Sequence, residues 1–189
     1  MTMKYLFLLI FILIYLSGIN IGYAQHTPEY THFVYMFQHT NILHLTLNAF
    51  SFISFARMLE KVIPQYFLYG YVYVAAVIAS YASIKLHPTI GASGMVFALL
   101  GIYITLSICG KKLKIINKSK YLIWLFSIIT SAVILAFNPH INNLNHLYAF
   151  IIGTIVGIIE NSISHKKGWT SLAVSYTHLR AHETSQDLV

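Results

Sequence analysis

Two short stretches of this chain carry residue types that can act on one another chemically. Ser93 stands in Gly91-Ala92-Ser93-Gly94 at the head of an apolar run, and His146 stands at the head of another. A serine hydroxyl is a weak nucleophile until a neighbouring base takes its proton, and histidine is the usual base. A third group of polar residues reads His39-x4-His44-x3-Asn48. His44 and Asn48 are four residues apart, so they share one helix face. Both can donate hydrogen bonds to a developing oxyanion, beside the backbone N–H of Ser93. His39 is five residues before His44, about 140° away at 3.6 residues per turn. If the helix reaches back that far, His39 points elsewhere and serves another role.

An acidic third member is hard to find. The acids are Glu29, Glu60, Glu160, Glu183 and Asp187, and a carboxylate buried in hydrocarbon is costly. The chemistry expected is therefore a Ser93–His146 dyad, with neither metal nor cofactor. The same inventory removes rival proteases. An aspartyl mechanism needs two Asp, and the chain has one, in its tail. A zinc protease wants His-Glu-x-x-His, and the His182-Glu183 pair has no second histidine. The single Cys109 permits no internal disulfide and no Cys-only metal site.

The elements that must position these groups follow from composition. Of 189 residues, 57% are hydrophobic and 9% charged, against roughly 25% charged in a soluble domain. Mean hydropathy is +0.68. Disordered, collagenous, disulfide-scaffold and ordinary cytosolic classes fit poorly. An integral membrane protein, one compact all-α bundle, fits. The net charge of +7 does not point to nucleic acid, because the basic residues fall in short runs between apolar segments.

A span needs about 20 mostly apolar residues. Six are expected, at residues 4–23, 40–58, 65–84, 91–110, 121–137 and 144–161. Pro64, Pro88 and Pro139 sit at junctions, where a missing N–H costs least. The first span also has the shape of a signal peptide, ending in Gly22-Tyr23-Ala24-Gln25. With the N-terminus inside, the inner ends collect Lys4, Arg57, Lys61, the five lysines of residues 111–120, Lys166 and Lys167, and the outer ends only Lys85. That asymmetry predicts a six-transmembrane-helix bundle, N-in and C-in. His39, His44, Asn48, Ser93 and His146 then fall at one level near the outer surface. Gly94, Ala98 and Gly101 in one span, and Ala149, Gly153 and Gly157 in another, form small-residue stripes that let helices approach closely in lipid.

The chain divides into a first span and the start of an outer loop (1–29), a core (30–162) and a tail (163–189). Residues 175–184 read SYTHLRAHET. They have no sustained apolar period, and they resemble a translated sequencing-adapter fragment. From about residue 170 the tail is read as foreign to the fold, so His178, His182, Glu183 and Asp187 take no functional role.

Taken together and in order, His39-x4-His44-x3-Asn48, Gly91-Ala92-Ser93-Gly94 and His146 with its small-residue stripe resemble the rhomboid family of intramembrane serine proteases. The resemblance runs from about Tyr30 to Glu160. It implies Ser93 as nucleophile, His146 as general base, and His44 and Asn48 as oxyanion-hole side chains. His39 matches a histidine regarded as structural. Phe97 matches an aromatic that packs beside the catalytic histidine. The implied partners are the lipid bilayer and single-span membrane proteins, cut near their outer end at a small residue. The implied location is a multi-pass protein of a bacterial cytoplasmic membrane. Two positions depart from the family pattern. Tyr30 and Thr31 stand where Trp-Arg is frequent, and Ala149 stands where glycine is frequent.

Two other readings compete. One is a rhomboid-like protein that binds helices without cutting them. The other is a membrane protein whose histidines hold haem or a metal. Cys109 reads as packing near the inner surface, and most aromatics as bundle filling or interfacial belts. Hydrolysis at this depth requires an aqueous cavity. Residues 85–90 and 138–145 are expected to border it, and a substrate helix to enter past span two or span five.

Overall fold

The computed structural model describes residues 2–84, 88–109 and 141–166. Among these the regular structure is all helical, apart from one isolated bridge between Tyr23 and Thr89. The helices are α1 (Met3–Ser17), α2 (Thr31–Val34), α3 (Ile42–Leu59), α4 (Gln65–Ala82), α5 (Ser93–Cys109) and α6 (Asn143–Lys166), with a 3-10 turn at Tyr35–Phe37. The span expected at 121–137 and the tail beyond residue 166 lie outside the described residues, as do Lys85 and the lysines of 111–120.

Local chemistry sets the helix ends. Gly18 closes α1 with φ 67°, a left-handed conformation that glycine adopts without a Cβ clash. The expected first span is therefore too long. Its apolar run continues through Ile19 and Ile21, but the helix stops at Ser17. Asn41 caps α3, its side-chain oxygen accepting the His44 N–H at 2.8 Å. Pro64 precedes α4 in an extended conformation. Asn142 accepts the Asn145 N–H at 3.3 Å in the first turn of α6.

The bundle has two distinct ends. At one, Lys4 forms an ion pair with Glu60, Tyr69 donates to the same carboxylate at 2.7 Å, and Arg57 donates to the Tyr5 hydroxyl at 3.1 Å. At the other, α3, α5 and α6 all begin, side by side. Phe7 and Phe11 join Phe37, Phe52 and Tyr69 in an aromatic cluster that fastens α1 to the rest. The central helix is α5, buried on most of its faces, with Met95, Ala98, Leu99 and Ile102 fully enclosed.

The small-residue stripes lie at the α5–α6 contact. A Cβ on Gly153 would run into the Ala98 carbonyl, and one on Gly101 into the Phe150 carbonyl. One on Gly157 would stand 2.8 Å from the Thr105 Cβ. The two backbones touch because these side chains are missing. The outward faces of the other long helices carry large apolar side chains, among them Leu16, Leu43, Phe50, Ile155 and Ile158. Hydrocarbon suits such a surface and water does not. Helix α3 and the Asn143–Ile163 stretch of α6 are long and apolar enough to cross a membrane, while α1 and α5 are shorter apolar helices.

Candidate active site

Ser93 is the first residue of α5, and the turn leading to it depends on Gly91. That residue has φ 110°, and a Cβ there would lie 2.7 Å from both Cε1 and Nε2 of His44. Glycine thus permits the backbone conformation and leaves room for the imidazole. Two further bonds hold the turn. The Gly91 N–H donates to the Tyr35 carbonyl at 3.1 Å, and the Ala92 N–H points at His39 Nε2 from 3.5 Å.

His146 lies in the first turn of α6, its amide N–H donating to the Asn142 carbonyl at 3.4 Å. Its Nε2 is 2.8 Å from Ser93 Oγ. The Phe97 ring stacks on the imidazole, with centroids 4.5 Å apart and planes 6° from parallel. Ser93 and Phe97 are one helical turn apart, so one face of α5 presents both the hydroxyl and the ring that steadies its partner. A cleft of about 230 Å³ beside this pair is lined by Phe97, Asn143, His146, Leu147 and Phe150.

The acids of the described residues are engaged elsewhere. Glu29 accepts from Tyr81 at 2.9 Å, Glu160 from Tyr71 at 2.8 Å, and Glu60 from Tyr69 and Lys4.

The other expected residues gather around the Ser93 turn in different ways. His44 Nδ1 is 3.1 Å from the Thr40 hydroxyl, which already accepts the Asn41 Nδ2–H at 3.3 Å. The Nε2 edge of the ring faces Gly91. Asn48, buried at 7% exposure, donates from Nδ2 to the His44 carbonyl at 2.9 Å. One of its two N–H bonds is thereby used within α3. His39 precedes α3 instead of extending it, and its ring packs against His44 at 5.2 Å and Phe11 at 5.3 Å. Burial, reinforced by His44, pushes the His39 pKa down to about 4, which keeps it neutral. No three His, Cys, Asp or Glu side chains among the described residues converge on a metal position.

Sequence reasoning missed a buried polar cluster beside this site. Asn142 Nδ2 lies within reach of the Tyr23 hydroxyl at 3.0 Å, the Ser83 carbonyl at 2.7 Å and the Thr89 hydroxyl at 2.9 Å. Asn145 Nδ2 reaches the Tyr23 hydroxyl at 3.1 Å and the Tyr35 hydroxyl at 3.3 Å. The described part of 138–145 is therefore divided: Asn143 lines the cleft, while Asn142 and Asn145 turn into the polar cluster. Asn142 and Asn145 are 5% and 1% exposed, and α6 begins at Asn143. Asparagines within an apolar chain of this kind are costly unless paired, which was the available signal.

A comparison with curated proteins finds no matching relative. A family model, the Rhomboid domain, matches residues 25–162. That match covers well over half of the chain and includes His39, His44, Asn48, Ser93, Phe97 and His146: the chain belongs to the rhomboid family, and it is an integral membrane protein.

Proposed function

We propose that this protein is an intramembrane serine endopeptidase that cleaves transmembrane helices by a Ser93–His146 dyad. The observation that carries the reading is the 2.8 Å approach of Ser93 Oγ to His146 Nε2 under the stacked Phe97 ring, in a chain of a family made mostly of such proteases. Neutral His146 takes the Ser93 proton as Oγ bonds to the scissile carbonyl carbon. The carbonyl oxygen becomes an oxyanion. His146 then protonates the departing amine as the C–N bond breaks, leaving an ester on Ser93. Water adds to that ester as His146 accepts its proton, and His146 returns the proton to Ser93 Oγ as the Oγ–acyl bond breaks, which releases a carboxylic acid and restores the dyad.

The oxyanion donors in this reading are the Ser93 N–H, the His44 Nε2–H and the second Asn48 N–H. The first turn of a helix leaves its N–H groups without intrahelical acceptors, which suits the Ser93 amide to this use. Phe97 fixes the imidazole plane, and Gly91, Gly94 and His39 shape the turn.

The arrangement proposed in the bilayer is six spans, N-in and C-in, with the Ser93 end facing outward in a bacterial cytoplasmic membrane. Lys4 and Arg57 gathering at the opposite end supports it. Substrates are single-span proteins that enter from the side. Incubating the purified protein with a panel of tagged transmembrane helices, beside Ser93→Ala, tests the function. Cleavage by the wild type with none by the variant supports it, and equal cleavage by both overturns it.

A further inference from the structure

Tyr35 is in contact with both halves of the site. Its backbone carbonyl accepts the Gly91 N–H at 3.1 Å, two residues before Ser93. Its hydroxyl receives Asn145 Nδ2 at 3.3 Å, one residue before His146, and donates to the Ala76 carbonyl at 3.1 Å. Tyr35 is fully buried and Asn145 is 1% exposed. The first turn of α5 rests directly on the pair. A Cβ on Gly94 would lie 2.8 Å from Asn145 Oδ1 and 2.9 Å from the Tyr35 hydroxyl.

The pair is anchored on its far side as well. Tyr23 packs edge-on against Tyr35 with centroids 4.6 Å apart, and its hydroxyl lies 3.1 Å from Asn145 Nδ2 and 3.0 Å from Asn142 Nδ2. The Tyr23 backbone is in turn bonded to Thr89, just upstream of Gly91. The chain therefore returns to the Ser93 turn, and the ring of contacts closes.

We propose that Tyr35 and Asn145 are positioning residues for the dyad, a crossbar that fixes the first turn of α6 against the Ser93 turn. The proposal rests on the protease reading. Leaving this register breaks the hydrogen bond between buried Asn145 and Tyr35, and that cost favours the arrangement with Oγ and Nε2 at bonding distance.

The test uses the full chain in proteoliposomes, with Tyr35→Phe, Asn145→Ala and the double variant. Tyr35→Phe removes only the hydroxyl and keeps the carbonyl that holds Gly91. Three quantities are read: kcat and KM for a cleavable transmembrane substrate, the rate of Ser93 labelling by a fluorophosphonate, and the acid limb of the pH–rate profile. Misplacing reacting groups by about 1 Å costs on the order of 10²-fold, so partial loosening should lower kcat and labelling by at least roughly 10-fold. KM should stay within about twofold, since substrate contacts are untouched. The acid limb should shift as the His146–Ser93 bond loosens. The double variant should be no worse than the poorer single one, because both break the same link. Folded variants with wild-type kcat, labelling and pH profile overturn the crossbar, as does a lowered melting temperature with unchanged kcat. Ser93→Ala runs alongside. If it cuts at the wild-type rate, or if the wild type is not labelled, the dyad fails and takes the crossbar with it.

Discussion

The imidazole of His44 occupies the space that a side chain on Gly91 would fill, with Cε1 and Nε2 each 2.7 Å from the position of such a Cβ. Gly91→Ala therefore strains the backbone at φ 110° and displaces the His44 edge that faces Gly91. Left-handed strain at a non-glycine residue costs about 1–3 kcal/mol. The variant should melt lower and lose turnover. A purified Gly91→Ala protein with wild-type melting and wild-type cleavage would contradict the close fit.

Phe97 stacks on His146 at 4.5 Å. Such aromatic contacts add about 0.5–1.5 kcal/mol beyond their buried area. Phe97→Leu keeps apolar bulk and loses the flat surface. Its kcat should drop by a few-fold to about 10-fold, at 1.4 kcal/mol per decade. Tyr or Trp at this position should keep most of the rate. Steady-state kinetics across the three variants checks the order, and Leu matching Trp would remove the stacking role.

The sequence made some of this site legible and hid the rest for physical reasons. Ser93, His44 and His146 stand out because polar groups in apolar segments are rare. The α5–α6 contact was readable because glycines at intervals of four leave few uses other than close approach. Tyr23 and Tyr35 were not readable. They are two of 14 tyrosines, and only long-range contacts separate a hydroxyl that ties elements together from one at an interface. Asn142 and Asn145 sit in an Asn-rich stretch after Pro139 that looks like a turn, yet they are buried. The end of α1 was misread because apolar residues continue beyond Gly18. Hydropathy does not register a left-handed glycine.

His39 gives a pH signature. Its pKa is about 4 in the folded protein, against about 6.5 in an unfolded chain. Between those values the unfolded chain binds more protons, so stability falls as pH drops from about 6.5 toward 4 and is fully present above that window. At 1.36 kcal/mol per unit the loss approaches about 3 kcal/mol. Burial also lowers the pKa of His32, which adds loss in the same direction. Melting curves in detergent at pH 7.5 and 5 should show the wild type less stable in acid, with a smaller drop in His39→Asn. Equal drops in the two proteins would remove His39 as a source.

The orientation in the membrane is testable with single cysteines in a Cys109→Ser background. His26 and Lys61 are both exposed and lie before α3 and after it, respectively. With the Ser93 end outward, an impermeant maleimide applied to whole cells should label His26→Cys and spare Lys61→Cys until the membrane is opened. The reverse pattern would invert the bundle and move the site to the inner face. Asn142 is a poor reporter, since it is 5% exposed and its amide is engaged.

Asn48 separates an oxyanion role from a structural one. Its Nδ2 already donates to the His44 carbonyl at 2.9 Å, a bond one turn back along its own helix. The structural reading assigns Asn48 only to that bond, worth about 1 kcal/mol. In the catalytic reading the second N–H meets the oxyanion, and losing one such donor costs on the order of 10²–10³ in rate. The two readings differ in size and in kind. Asn48→Ala should lower kcat by about 10²-fold or more while its melting temperature shifts only slightly. Labelling of Ser93 by a fluorophosphonate should slow as well, because that adduct places an oxygen where the oxyanion would be. A substrate with a more reactive ester bond should lose less, since its transition state carries less of its charge on that oxygen. A variant that melts several degrees lower but cleaves at the wild-type rate where folded would leave Asn48 as a tie within α3. The oxyanion would then depend on His44 and the Ser93 amide.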